Sequence, residues 1–195
     1  MPRATGWRAY KPGAPRARLA VRFEHAPVRV RVLGLDPGSR TTGFGVVDAG
    51  DTAPRYVASG AIRAGSGDFA SRLQQIYAGV TALIAEYQPT EIAIERVFVN
   101  RNPDSALKLG QARGAALSAT FGSTATIYEY SPREVKLGVV GTGAAEKAQV
   151  QKMVTVLLAI EGRLSADAAD ALAIALCHAH GRSTRLALAA AAGVS

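Results

Sequence analysis

A single cysteine, Cys177, is the only thiol in this chain of 195 residues, which excludes a disulfide framework and any cysteine-rich zinc module. Long apolar runs are also missing. None approaches the roughly 20 residues that span a bilayer. The first thirty positions carry many charges and no apolar core of a secretory leader, so a cytoplasmic protein with no membrane partner is expected. Aromatic residues are few, at 6%, and acids are scarce, 15 against 23 Lys and Arg. What is plentiful is Ala, Leu, Val and Ile. At 48% hydrophobic the chain is too apolar for wholesale disorder, and its length suits one domain with appended tails.

The net charge of +8 is unevenly placed. Residues 1–31 hold eight basic side chains and one acid, Glu24, which leaves about one unit of positive charge for all the rest. Residues 1–29, with four prolines and no hydrophobic periodicity, read as a disordered basic extension able to hold phosphate backbones without sequence preference. The folded domain is expected over 30–182 and a flexible Ala-rich tail over 183–195.

Within the domain, the alternating Val28, Val30 and Val32, then Gly43 to Val47 and Arg55 to Arg63, suit three consecutive antiparallel strands. From Asp68, a natural N-cap, apolar residues from Leu73 to Tyr87 step by three and four, predicting an amphipathic helix that stops before Pro89. A fourth strand is predicted over Glu91 to Val99, with Ile92 and Ile94 on one face and Ala93 and Glu95 on the other. A helix from about Asp104 to Thr120 and a fifth strand over Ala125 to Tyr130 follow. The glycines 138, 141 and 143 suggest a loop over Lys136 to Ala144. Two helices close the chain, Glu146 to Leu158 and Ser165 to about His180. This order predicts an α/β fold, a mixed five-stranded sheet with helices on both faces.

Four carboxylates stand in unusual places. Asp36 ends the strand Val32-Leu33-Gly34-Leu35-Asp36, and Glu95 lies in a strand that should be central. Asp167 and Asp170 share one face of a helix that is apolar nearly all round. A buried carboxylate without a cation costs several kcal/mol, and an oxygen-only donor set suits a hard ion such as Mg²⁺ or Mn²⁺. Carboxylates converging at one end of a sheet are the requirement of two-metal phosphoryl transfer. Taken singly, Asp36 before Pro37-Gly38 also fits a turn, and Asp167 also fits a favourable first-turn acid.

These segments resemble the RuvC-type Holliday-junction resolvases of bacteria. Leu35-Asp36-Pro37-Gly38-Ser39 with Thr42-Gly43 matches the opening motif, and Glu95-Arg96-Val97-Phe98 with Ser105 to Gly114 matches the second. Tyr130-Ser131-Pro132 to Lys136, with Gly141-Thr142-Gly143 and Glu146-Lys147, matches the third, and Asp167 to Ala175 matches the last. The resemblance implies an RNase-H-like fold with the acidic tetrad Asp36, Glu95, Asp167 and Asp170, which hold two Mg²⁺ per subunit. It further implies a homodimer on four-way DNA that makes two symmetric nicks and leaves 5′-phosphate and 3′-hydroxyl ends. A branch-migration helicase and its junction-binding subunit are the implied partners, in recombination and repair. Lys147 and Lys136 are then candidates to reach the scissile phosphate, and Phe98 to stack on an unpaired base. Arg96, Arg101, Lys108 and Arg113 form a local basic patch of candidate DNA contacts. His178 and His180 have ligand-like spacing, but the carboxylates suffice.

Three other readings start from the same residues. Asp36-Pro37-Gly38 with Thr41 and Thr42 also suits an actin-like kinase or ATPase, although the chain is short for a second phosphate loop and a nucleoside site. A related RNase-H-like nuclease acting on RNA would leave Lys147 and Phe98 without roles. A non-catalytic junction-binding module would not need all four acids.

Overall fold

The computed structural model describes residues 29–50, 53–65, 67–96 and 102–191. Five strands form one mixed sheet in the order β3-β2-β1-β4-β5. The strands are β1 (Val30–Asp36), β2 (Thr41–Ala49), β3 (Arg55–Arg63), β4 (Glu91–Glu95) and β5 (Thr126–Tyr130). The first three pair antiparallel, while β4 and β5 add parallel to β1. Alternation in β4 divides the molecule as expected. Ile92 and Ile94 join Leu33, Leu35 and Val46 under α1 (Phe69–Tyr87) and α2 (Pro103–Ser118). Ala93 and Val32 face the other layer, formed by α3 (Pro132–Val140), α4 (Lys147–Leu157) and α5 (Ala166–Ala191). Asp68 caps α1 by accepting from the Ser71 amide at 2.7 Å.

Three expectations change. The predicted loop over 136–144 is mostly helix α3. A capping box starts it: the Ser131 hydroxyl accepts from the Glu134 amide at 3.2 Å, and Glu134 accepts from the Ser131 amide at 2.7 Å. Its glycines have separate uses. Gly138 faces α5, where a Cβ would come within 2.8 Å of Cys177 Sγ, and Gly141 ends the helix at φ +80°. Secondly, α5 does not stop near His180 but runs to Ala191, so 183–191 is not a tail. The stretch from Arg182 to Ala191 contains no glycine or proline and is rich in Ala, Leu and Arg, all good helix formers. Thirdly, β4 ends at Glu95, with Arg96 giving one more amide bond to the Tyr130 carbonyl at 2.8 Å. The rest of the strand expected to Val99, including Phe98, falls in 97–101, outside the described residues, as does Arg101.

The long α5 is fastened to the sheet by a buried polar cluster. His178 is fully buried and contacts Glu91 Oε2 through Nε2 at 2.6 Å. Arg185, which can only donate, reaches His178 Nδ1 at 3.0 Å, so Nδ1 accepts and Nε2–H donates to Glu91. The Tyr130 hydroxyl lies 2.8 Å from the same Nδ1 and shares its one lone pair with Arg185, whose shortest bond, at 2.6 Å, goes to the His178 carbonyl. Burial holds the His178 pKa below the ordinary imidazole range, against the pull of Glu91, which agrees with this neutral form. Arg182 completes the cluster on Glu91 Oε1 at 3.2 Å. His180 instead meets the Gly138 carbonyl at 2.9 Å, so the two histidines do not form a ligand pair.

Candidate active site

Asp36 and Glu95 are the last residues of neighbouring parallel strands, since Leu35 pairs with Ile94 one step earlier. The two helical acids reach them because α5 lies unusually close to the sheet. A Cβ at Gly34 would collide with the Ala171 carbonyl oxygen, and one at Gly43, the partner of Asp36 across β1 and β2, would collide with that of Asp167. Glycine at these two positions is therefore a requirement of the site. The absent side chains let the first turns of α5 come up to the strand ends, which brings Asp170 into the cleft, while Asp167 stays outside its lining and acts on Asp36 through its charge.

Asp36, Glu95 and Asp170 line a 350 Å³ cleft together with Lys136, Lys147, Pro132, Val135, Val150 and Ala173. Lys136 belongs to α3 rather than to a loop, and Lys147 opens α4 with its ammonium on the Asp170 carboxylate. That hydrogen bond raises the Lys147 pKa. Burial first, then the Asp170 and Asp167 charges, push Asp36 up to about 6, with Lys147 opposing. Burial, then Asp36 and Asp170, push Glu95 up to about 7, again with Lys147 opposing. Burial, reinforced by the neighbouring carboxylates, thus lets Asp36 and Glu95 hold protons near pH 6 to 7.

The donor chemistry fits a hard divalent ion: carboxylate oxygens only, half-buried, on the rigid ends of two strands and a helix. Among the described residues, no three acidic, His or Cys side chains are drawn together as a closed ligand set. The Lys147 ammonium supplies the local positive charge instead. A divalent ion held by Asp36 and Glu95 would displace their protons, so its binding should release protons at pH 6 to 7. Affinity should rise with pH through that window and level off above it. Calorimetric titration with Mg²⁺ in buffers of different ionisation enthalpy counts those protons. An affinity unchanged between pH 5.5 and 8 would show that the acids are already ionised.

The basic patch divides. Lys108 pairs with Asp104 at 2.6 Å on the exposed face of α2, and Arg96 stands 3.6 Å from Glu134 while donating to the Glu129 carbonyl at 3.3 Å. Arg113 is only 19% exposed and is occupied inside the protein by the Glu95 carbonyl, at 3.1 Å, and Glu129, at 2.8 Å. In the sequence it stands in a basic run and in the second family motif, and neither points to Glu95 or Glu129 as its partner. Its partner Glu129 lies 34 positions from Glu95, so only the β4–β5 register brings the three together.

The family model for "Crossover junction endodeoxyribonuclease RuvC" matches residues 32–178. The chain belongs to this family. A RuvC of Chromohalobacter salexigens is 56% identical over 154 residues, covering 79% of this chain and 83% of its own. One from Marinobacter nauticus is 54% identical over 162 residues, covering 83% and 93%. Among solved structures, Thermus thermophilus RuvC in complex with a Holliday junction substrate superposes with a TM-score of 0.74 at 33% identity, covering 80% of this chain and 96% of that one. The five-stranded mixed sheet is thus the RNase-H-like fold of the RuvC family. All four carboxylates and both cleft lysines lie inside the matched segment.

Proposed function

We propose that this chain is a Holliday-junction-resolving endonuclease, which cuts four-way DNA by two symmetric nicks that leave 5′-phosphate and 3′-hydroxyl ends in recombination and repair. The observation that carries the reading is the convergence of Asp36, Glu95 and Asp170 in one cleft with Lys147, inside a RuvC-family domain. Asp36, Glu95, Asp167 and Asp170 would hold two Mg²⁺, or Mn²⁺, which when bound activate water and stabilise charge at the reacting phosphorus. The chain's own residues do the rest. The strand ends and α5 carry the carboxylates to one cleft, so that only side-chain rotations and the release of Asp170 by Lys147 separate them from a ligand set. Lys147 neutralises the acid cluster from α4 and, once released from Asp170, presents a mobile ammonium to a phosphate oxygen. Lys136 adds a second point charge across the cleft. Phe98, Arg96, Arg101 and Lys108 are assigned to DNA, Phe98 by stacking on an unpaired base. Arg113 is withdrawn from that set.

A homodimer completes the proposal, because a four-way junction is nearly two-fold symmetric and needs two matched cuts. The exposed face of α2, with Pro103, Ala106, Leu107, Gly110 and Gln111 around a shallow depression, is the assigned contact. Ala115 and Leu117, which the sequence also suggests for it, pack on the chain's own core instead. A cytoplasmic location, with the branch-migration helicase and its junction-binding subunit as partners, belongs to the same reading. It agrees with the finding that, among the described residues, no helix is long and apolar enough to cross a membrane.

The deciding experiment offers labelled four-way junction, linear duplex and RNA–DNA hybrid to the full chain with Mg²⁺. Paired nicks with ligatable ends should appear on the junction alone. Equal cutting of linear duplex, or preference for the hybrid, would replace this reading with that of a general RNase-H-like nuclease.

A further inference from the structure

A guanidinium presents five N–H donors in a rigid fork, so a buried arginine can fix two acceptors at once where a lysine fixes one. Arg113 is used in this way. Its Nε donates to the main-chain oxygen of Glu95 at 3.1 Å, and its other arm meets Glu129 Oε1 at 2.8 Å with 19% of the side chain exposed. Glu129 lies beside Ile94 in the β4–β5 register, so the fork spans both strands from α2. Arg96 bonds the Glu129 carbonyl at 3.3 Å and closes the clamp from the other side. The atom held by Arg113 belongs to Glu95 itself, the last residue of β4, next to the Arg96 amide that bonds the Tyr130 carbonyl. A strand end is where a backbone is freest to shift, and a shift there moves the Glu95 carboxylate directly.

We infer that Arg113 is a positioning residue for Glu95: its fork on the Glu95 carbonyl and Glu129 sets the carboxylate's place in the cleft and so governs divalent-metal affinity. The inference rests on the proposed reading of Glu95 as a metal-holding carboxylate. It places one end of the metal site under the control of α2, whose next residue, Gly114, lies on the exposed face of that helix.

Mn²⁺ binding to the full chain without DNA, followed by the loss of the free-ion signal in electron paramagnetic resonance, tests this in four proteins. Glu95→Gln should weaken binding strongly, and Mn²⁺ binding equal to wild type would dispose of the metal reading before Arg113 is considered. Arg113→Lys keeps the charge but loses the fork. It should weaken Mn²⁺ about tenfold, the loss typical for partners that orient a metal ligand. It should also raise the Mg²⁺ needed for half-maximal junction cleavage in proportion, with junction affinity and its salt dependence unchanged. Glu129→Gln keeps the bond to the Glu95 carbonyl, loosens its anchor, and should shift Mn²⁺ binding in the same direction by less. It supplies the answer if the lysine variant does not fold. Wild-type Mn²⁺ affinity in both variants would overturn the inference.

Discussion

Asp36→Asn should lower junction cleavage by at least about three orders of magnitude, roughly 4 kcal/mol of barrier, while leaving junction affinity close to that of the parent. Asn is isosteric, so the packing of α5 on β1 is undisturbed, yet one carboxylate of the set proposed to hold the metal is gone. Affinity for a four-way junction comes mainly from phosphate contacts that neutralise backbone charge, and Asp36 makes none. The raised pKa of Asp36 adds a second expectation. Its folded value, about 6, exceeds the ordinary carboxylate range because burial and the Asp170 charge disfavour ionisation. Folding therefore binds a proton as the pH falls through that window. In the absence of metal, the stability associated with this group is present at low pH and lost as the pH rises through about 6. Removing the charge should make the variant more heat-stable than the parent at pH 8 in EDTA. Gel-shift titration, single-turnover cleavage and thermal melts give the three readings. A variant that loses binding as severely as cleavage would make Asp36 a DNA-contact or folding residue.

How much of this was legible in the sequence depended on the range of each signal. Periodicity within one element is local, and it located β1, β2, β3, β5, α1 and the two faces of β4, though not the end of β4 at Glu95. The four acids stood out because burying a charge in an apolar strand or helix needs a purpose, and that argument also is local. The helix α3 was missed although its signal was present. Ser131-Pro132-Arg133-Glu134 is a capping box with proline at the first turn, but three nearby glycines outweighed it. One of those glycines makes room for Cys177 of α5, a contact 39 residues away that no local pattern reveals. The same holds for Arg113 and for the cluster of His178 with Glu91, Tyr130 and two arginines. Each joins elements far apart in the chain, so their partners emerge only from the sheet order. Gly34 and Gly43 read as ordinary strand or turn glycines until the path of α5 shows what a Cβ would strike.

Gly114→Leu should convert the protein to monomers while leaving each subunit folded. In a single chain the position is open: a Cβ there meets nothing within 4 Å, and the same is true of Gly110. Leu107, on the same side of the helix, is 63% exposed, although Ala112 and Ala116 bury the opposite side completely. Two glycines in an exposed helix face cost about 1 kcal/mol each relative to alanine. That cost calls for a use, and close approach of a second helix backbone supplies one. A leucine side chain would hold two such helices apart by its own width, yet in the monomer it projects into solvent and even improves helix propensity. Thermal stability at low concentration should therefore be kept or raised, with the molar mass from light scattering halved. On four-way junctions the paired nicks should become uncoupled single nicks or disappear, since nothing then presents two clefts to the two strands of like polarity. Circular dichroism separates loss of assembly from loss of fold. A variant that remains dimeric and still cuts both strands together would move the two-fold contact off α2.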